Sequence, residues 1–194
     1  MTKNQSSLIN PEIKKTQIQE IEVTRTNCGI IIATSFSMIV FLLSFIKVIT
    51  FPLYSAIIFL FISIILLFEL IYYLARARIK LEEEGFTIED YVTFNKVDFT
   101  LHSFGHILFY IGLLFLISHF QLLIIGIPFM VFINVRSILP IKMSIESYNK
   151  LKVKEDQGDN LKLEKFYLLI DILRIILTIS VSIILIYYWI NFYT

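Results

Sequence analysis

The chain has 194 residues, 57% of them apolar and only 17% charged, with a mean hydropathy of +0.77 and a formal net charge of +1. A soluble domain of this length needs more polar surface to cover its core, and so balanced a charge excludes the electrostatic footprint of a nucleic-acid binder. Cys28, the single cysteine, excludes an internal disulfide and a multi-cysteine metal site.

Long apolar runs replace the missing polar surface. A hydrocarbon core of roughly 30 Å is crossed by about 20 helical residues, and the runs lack the inside–outside alternation of barrel strands. The expected fold class is therefore all-α, a polytopic integral membrane helical bundle of about five transmembrane helices. Residues 1–27 form a polar arm expected on the cytoplasmic side, and residues 28–194 a single transmembrane domain. No cleavable signal peptide is expected, because the arm is polar and the first apolar run is long enough to stay in the bilayer. "NPEIKK", from Asn10 to Lys15, sets a cap-type Asn before a Pro at a first helical position, so a short helix is expected there.

The first span covers about residues 28–45. Cys28 at its start reads as a small packing residue, with palmitoylation an alternative on position alone. Gly29, Ala33 and Ser37 recur every four residues, a ridge that lets a second helix approach closely. After a connector at residues 47–52, the second span covers about 53–75 and carries Glu69. Residues 76–101 are polar with scattered aromatics. There the helix of span 2 is expected to run on to Gly85, a C′ stop, and a new helix to start at Thr87 with Asp90 three residues on.

From Ser103 to Arg136 the sequence is too long for one crossing, about 50 Å as a single helix. Split at His119–Gln121 it gives spans 103–118 and 122–136, joined by a three-residue turn. A re-entrant hairpin, leaving three spans, is the alternative. Irregular lipid-exposed backbone is not tolerated at membrane depth, which favours two spans. A Lys-rich segment at 137–165 contains the turn-forming "DQGDN" (residues 156–160), and the last span covers about 166–190 with Thr178 and Ser182 four residues apart.

Fifteen of the 17 basic residues fall in the arm, in 76–101 and in 136–165. If every span crosses, all three lie on one side. Short cytoplasmic loops hold the excess of Lys and Arg, so the amino terminus is expected inside and the carboxyl terminus outside, in a bacterial inner membrane.

Ionisable residues within spans mark functional sites by default. Glu69, His106, Asn134, Asp171 and Arg174 all fall in the inner half of the expected bilayer, and Asp171 and Arg174 are spaced i,i+3 so that they share a face. One reading is a polar cavity open to the cytoplasm, with Glu69 handling a cation or protons and Arg174 an anion. The favoured reading is an internal ion pair of Glu69, Arg174 and Asp171 that holds helices together. "HSFGH" puts His102 and His106 one turn apart, a weak metal site with Asp98 as the only available helper; interfacial hydrogen bonding is the favoured role. No phosphate-cradling Gly-rich loop, GxSxG or HExxH motif is present, so an enzyme is the minority reading and no cofactor is expected.

The function expected from these features is a non-enzymatic membrane subunit. It would self-assemble as a homo-oligomer and dock a cytoplasmic protein partner through 1–27, 76–101 and 137–165. Its other partner is the lipid bilayer, and direct nucleic-acid binding is not expected. The alternative is a small ion channel or transporter using Glu69, Asp171 and Arg174. In size and span number the chain resembles membrane components of Kiwa-type phage-defence systems and bacteriocin-immunity proteins, a resemblance of plan that implies an antiviral defence or immunity setting.

Overall fold

The computed structural model describes residues 11–45, 50–82, 88–152 and 158–193. They form five helices, α1 (Pro11–Phe45), α2 (Phe51–Glu82), α3 (Ile88–His119), α4 (Leu123–Lys152) and α5 (Gly158–Tyr193), with no strand among the described residues. All five are long and apolar enough to cross a membrane. The α1 cap expected at Asn10, the first half of the first connector with Lys47, the Gly85 stop, the Thr87 start and the first two residues of "DQGDN" lie outside the described residues.

The helices run 30 to 36 residues, roughly 45–54 Å against a hydrocarbon core of roughly 30 Å. Much of the polar sequence between the expected spans is therefore helical. The helix expected at Pro11 starts there but is not short, because it continues unbroken to Phe45. In the same way α3 begins 15 residues before the expected limit of its span, and α4 runs past Arg136 through Pro140 to Lys152. Hydropathy falls where charges begin, but Lys, Arg, Glu and Gln are good helix formers, so the backbone ladder does not stop with it.

Packing centres on α3, which touches α2, α4 and α5, while α1 lies along α2. On α2, Leu53, Ala56, Leu60, Ser63, Leu67, Leu70, Leu74, Ala77 and Leu81 are all buried. Their steps alternate strictly between three and four residues, the heptad repeat of knobs-into-holes packing. Gly105 and Gly112 of α3 receive this seam. A Cβ on Gly105 would run into the Leu67 side chain, and one on Gly112 would lie 2.8 Å from Leu60 Cγ and 3.3 Å from the Leu60 backbone nitrogen. Ser63 Oγ donates to the Gly105 carbonyl at 2.7 Å, a bond that the close approach of backbones permits.

Two apolar clusters follow. At the end of the bundle carrying Arg76, Arg78 and Lys80, called here the basic end, Ile21 and Cys28 of α1 pack with Leu67, Leu70, Leu74, Ala77 and Leu81 of α2 and Phe94 of α3. Toward the opposite end, Ala56 joins Ile107, Ile111, Leu114 and Phe115 of α3, Ile133 of α4, and Val181, Leu185 and Trp189 of α5.

The turn between α3 and α4 occupies Phe120, Gln121 and Leu122. Leu122 N–H donates to the Ile117 carbonyl and Gln121 N–H to that of Ser118, at 3.2 and 3.1 Å. Gln121 has φ 59°, which completes a Schellman cap with the left-handed residue at C′. Two long helices thus meet at a tight hairpin, its turn one residue beyond the expected split. His119 Nδ1 hydrogen-bonds Thr50 Oγ1 at 2.7 Å, and Thr50 Oγ1 also accepts from Leu53 N–H at 3.4 Å, which ties the turn to the start of α2.

Candidate functional site

A cleft of about 590 Å³ opens between α3, α4 and α5, with Thr24 of α1 at its edge. From α3 it is lined by Asp98, His102, His106 and Tyr110, from α4 by Arg136, Ser137 and Pro140, and from α5 by Arg174. The arrangement follows from helical spacing. Asp98, His102 and His106 are separated by single turns and so share one face of α3.

The Arg174 side chain is only 12% exposed, beside a fully buried Asp171 at 3.0 Å. Ser144 Oγ of α4 donates to the other Asp171 oxygen at 2.7 Å, and Arg174 Nη2 donates to the Ser137 carbonyl at 3.3 Å. Pro140 lacks the N–H that would bond to the Arg136 carbonyl, one residue before the Ser137 carbonyl that Arg174 meets. One ion pair on α5 is therefore clamped twice by α4. Arg174 Nε has no partner in spite of its burial, and neither has Asp98 Oδ1.

Arg136 stacks its guanidinium over the Tyr110 ring, 5.4 Å from the centroid, a cation–π contact. His102 and His106 lie ring on ring, with centroids 4.1 Å apart and planes at 24°, and His106 Nδ1 is 2.9 Å from the His102 carbonyl oxygen. Stacked in this way the two rings do not converge on a shared point. Among the described residues no group of three or more His, Cys, Asp or Glu is placed to hold a metal ion.

The sequence-derived polar cluster is divided by the structure. Asp171 and Arg174 are paired, and His106 lines the same cleft as Arg174. Asn134 belongs elsewhere, to the α4–α5 contact, donating to Met130 O at 2.9 Å and Ser182 Oγ at 2.8 Å. Ser182 Oγ in turn donates to Thr178 O at 2.8 Å. Glu69 joins none of these. It lies exposed on α2, between exposed Phe68 and the buried seam residue Leu70. The expected three-residue pair of Glu69, Arg174 and Asp171 is thus corrected to a two-residue pair. The physical reason is rotational: Leu67 and Leu70 are the heptad positions turned inward, which turns Glu69 out.

The small-residue ridges also part. Thr178 and Ser182 are buried inside the bundle, whereas Ala33 and Ser37 are exposed and Gly29 is half-buried. A Cβ on Gly29 would meet nothing within 4 Å. The ridge borders a groove of about 640 Å³ lined by Ala33, Thr34, Ser37, Met38, Phe41 and Leu42 of α1 with Leu116 and Phe120 of α3.

Sequence reasoning undervalued Arg136 and Asp98, treating the first as a topological charge and the second as a metal helper. The signal that singles them out is the polar line at 98, 102 and 106, opposite a Pro-containing helix with Arg four residues before its proline. No protein-family model matches this chain, and no curated protein or solved structure matches it either.

Proposed function

We propose that this is a non-enzymatic membrane subunit, inserted with its amino terminus and basic end on the cytoplasmic side, which works by self-association and by docking a soluble partner. The observation that carries the reading is the outward ridge of α1. Gly29, Ala33 and Ser37 form a strip without bulk beside an open apolar groove, and nothing within 4 Å would meet a Gly29 Cβ. Small residues at that spacing drive helix association in lipid by allowing backbones to approach. Orientation is supported by the gathering of 15 of the 17 basic residues in three segments that an odd number of crossings puts on one side.

The partner-docking part rests on the polar helical extensions at the basic end. They are held as a defined surface by Arg78, which contacts Glu22 at 2.7 Å and Glu82 at 2.9 Å, and by the Lys80–Asp90 ion pair between α2 and α3. A defence or immunity assembly is one setting for such a subunit on grounds of plan alone. The channel or transporter alternative has less support, since Glu69 lies exposed on α2, apart from the Asp171–Arg174 pair.

Purification in mild detergent followed by intact-complex mass spectrometry tests this reading. A defined oligomer carrying a stoichiometric soluble protein is the expected result. Gly29→Leu is expected to convert the oligomer to monomer without lowering the melting temperature of the subunit, because the chain leaves room at the Cβ and Leu is the better helix former. A wild-type protein that is monomeric and alone would sink the proposal.

A further inference from the structure

The cleft between α3, α4 and α5 is lined by Asp98 and Arg174, each of which keeps one side-chain atom, the acceptor Oδ1 and the donor Nε, buried without a partner. Buried polar atoms are nearly always satisfied, so both side chains are left under-satisfied by the protein itself, and both line the cleft. Arg136 adds a cation there, braced on Tyr110 and with no carboxylate paired to it among the described residues. A simple anion would satisfy the arginines but would be repelled by Asp98. A metal cation would satisfy Asp98 but would face Arg136 and Arg174. A group that carries both signs satisfies all three.

The walls indicate where that group comes from. Phe132, Val135 and Leu139 of α4 line the cleft and are also exposed on the outside of the bundle, at 46%, 49% and 63%, so the cleft continues into an apolar surface fit for acyl chains. Basic pockets between membrane helices near the cytoplasmic face are recognition sites for lipid headgroups, and about 590 Å³ is within the usual range for a small-ligand site. We propose that this cleft holds the headgroup of an amine-bearing phospholipid, its phosphate against Arg136 and Arg174 and its ammonium against Asp98. Arg136 supplies the charge-assisted, planar donor set that suits phosphate. Asp98 supplies the selectivity, because a quaternary amine has no N–H to donate and a glycerol headgroup has no positive charge. The inference rests on the membrane reading above and extends it from a generic bilayer to a specific lipid.

The test is native mass spectrometry of the full chain in mild detergent, titrated with phosphatidylethanolamine, phosphatidylcholine and phosphatidylglycerol of matched acyl chains. The expected result is severalfold stronger retention of the ethanolamine lipid than of either competitor. Asp98→Asn, which keeps shape and removes charge, is expected to abolish that preference while some phospholipid binding remains. Arg136→Gln is expected to weaken retention of all three. Equal or stronger binding of the glycerol lipid, an unchanged preference in Asp98→Asn, or no retained phospholipid would each overturn the proposal. Displacement of the lipid by an equimolar amount of soluble phosphoethanolamine would overturn the lipid source in favour of a free zwitterion. Alkaline extraction of membranes from the same cells separates the two levels. Release of the chain removes the membrane reading, whereas a chain that stays in the membrane without lipid preference removes only this inference.

Discussion

The two sides of α3 are built on different principles. Toward α2 it presents Gly105 and Gly112 to a heptad of mostly Leu and Ala, with one Ser hydroxyl spent on a backbone carbonyl. Toward α4 and α5 it presents His102 and His106 to a proline-containing helix and a buried ion pair, with Asp98 at the border toward α1. The first face is dry and close-packed, so its energy comes from shape. The second contains a cleft, unsatisfied polar atoms and charge. One helix therefore divides a face specialised for holding the bundle together from a face that leaves room for something else.

The sharpest way to break this contrast is at Asp171. Replacing it with Ala removes the acidic partner of a guanidinium that is 12% exposed, and breaking a buried pair in this way costs about 3–5 kcal/mol. Arg174 keeps its bond to Ser137 O, so a loss near the lower end is expected in denaturant titration of the detergent-solubilised protein. The double variant Asp171→Leu with Arg174→Leu is expected to recover most of that loss, because exchanging a whole buried pair for apolar residues is often close to neutral. Recovery would mean that the pair is kept for a reason other than stability.

On the dry face the corresponding test adds atoms. Gly112→Ala puts a methyl 2.8 Å from Leu60 Cγ and 3.3 Å from the Leu60 backbone nitrogen, and the backbone cannot rotate away. Overpacking costs about 1–3 kcal/mol, offset by the roughly 1 kcal/mol that Ala gains over Gly in a helix. A net loss of melting temperature is expected. Gly105→Ala is expected to lose less, since it meets only the Leu67 side chain. If the two glycines proved as tolerant as Gly29, the seam would not be close-packed and the contrast between the faces would fail.

The different legibility of the two faces in the sequence follows from the same physics. The helical class, the number of long apolar helices and, to within one residue, the turn expected at 119–121 and found at 120–122 are legible because hydropathy and turn position are properties of adjacent residues. The heptad on α2 is also legible in principle, as leucines and alanines at steps of three and four, but a uniformly apolar run hides it: in "FLFISIILLFEL" every register looks hydrophobic. Within it only Ser63 and Glu69 break the uniformity. The cleft is less legible still, because its charges come from three helices and depth alone does not give rotation. Glu69 and Arg174 both fall in the inner half of the expected bilayer, yet one faces out of α2 and the other inward from α5.

Glu69 gives the smallest expected effect and the most pointed use of the comparison, since neither face of α3 accounts for it. It is exposed on α2, and among the described residues no ion pair or hydrogen bond engages it. Surface substitutions away from packed or charged partners usually stay within about 0.5 kcal/mol. Glu69→Gln is therefore expected to leave the melting temperature of the monomer in detergent unchanged. Ionisable side chains facing lipid are costly, so the amide is expected to be no worse in a bilayer and slightly better. The informative comparison is between the monomer and the intact assembly. A loss of stability seen only in the assembled protein would place Glu69 at a contact with another chain, turning an exposed carboxylate into part of the interface that α1 begins. The same loss in the monomer would mean that the α2 seam is rotated from the register that turns Leu67 and Leu70 inward.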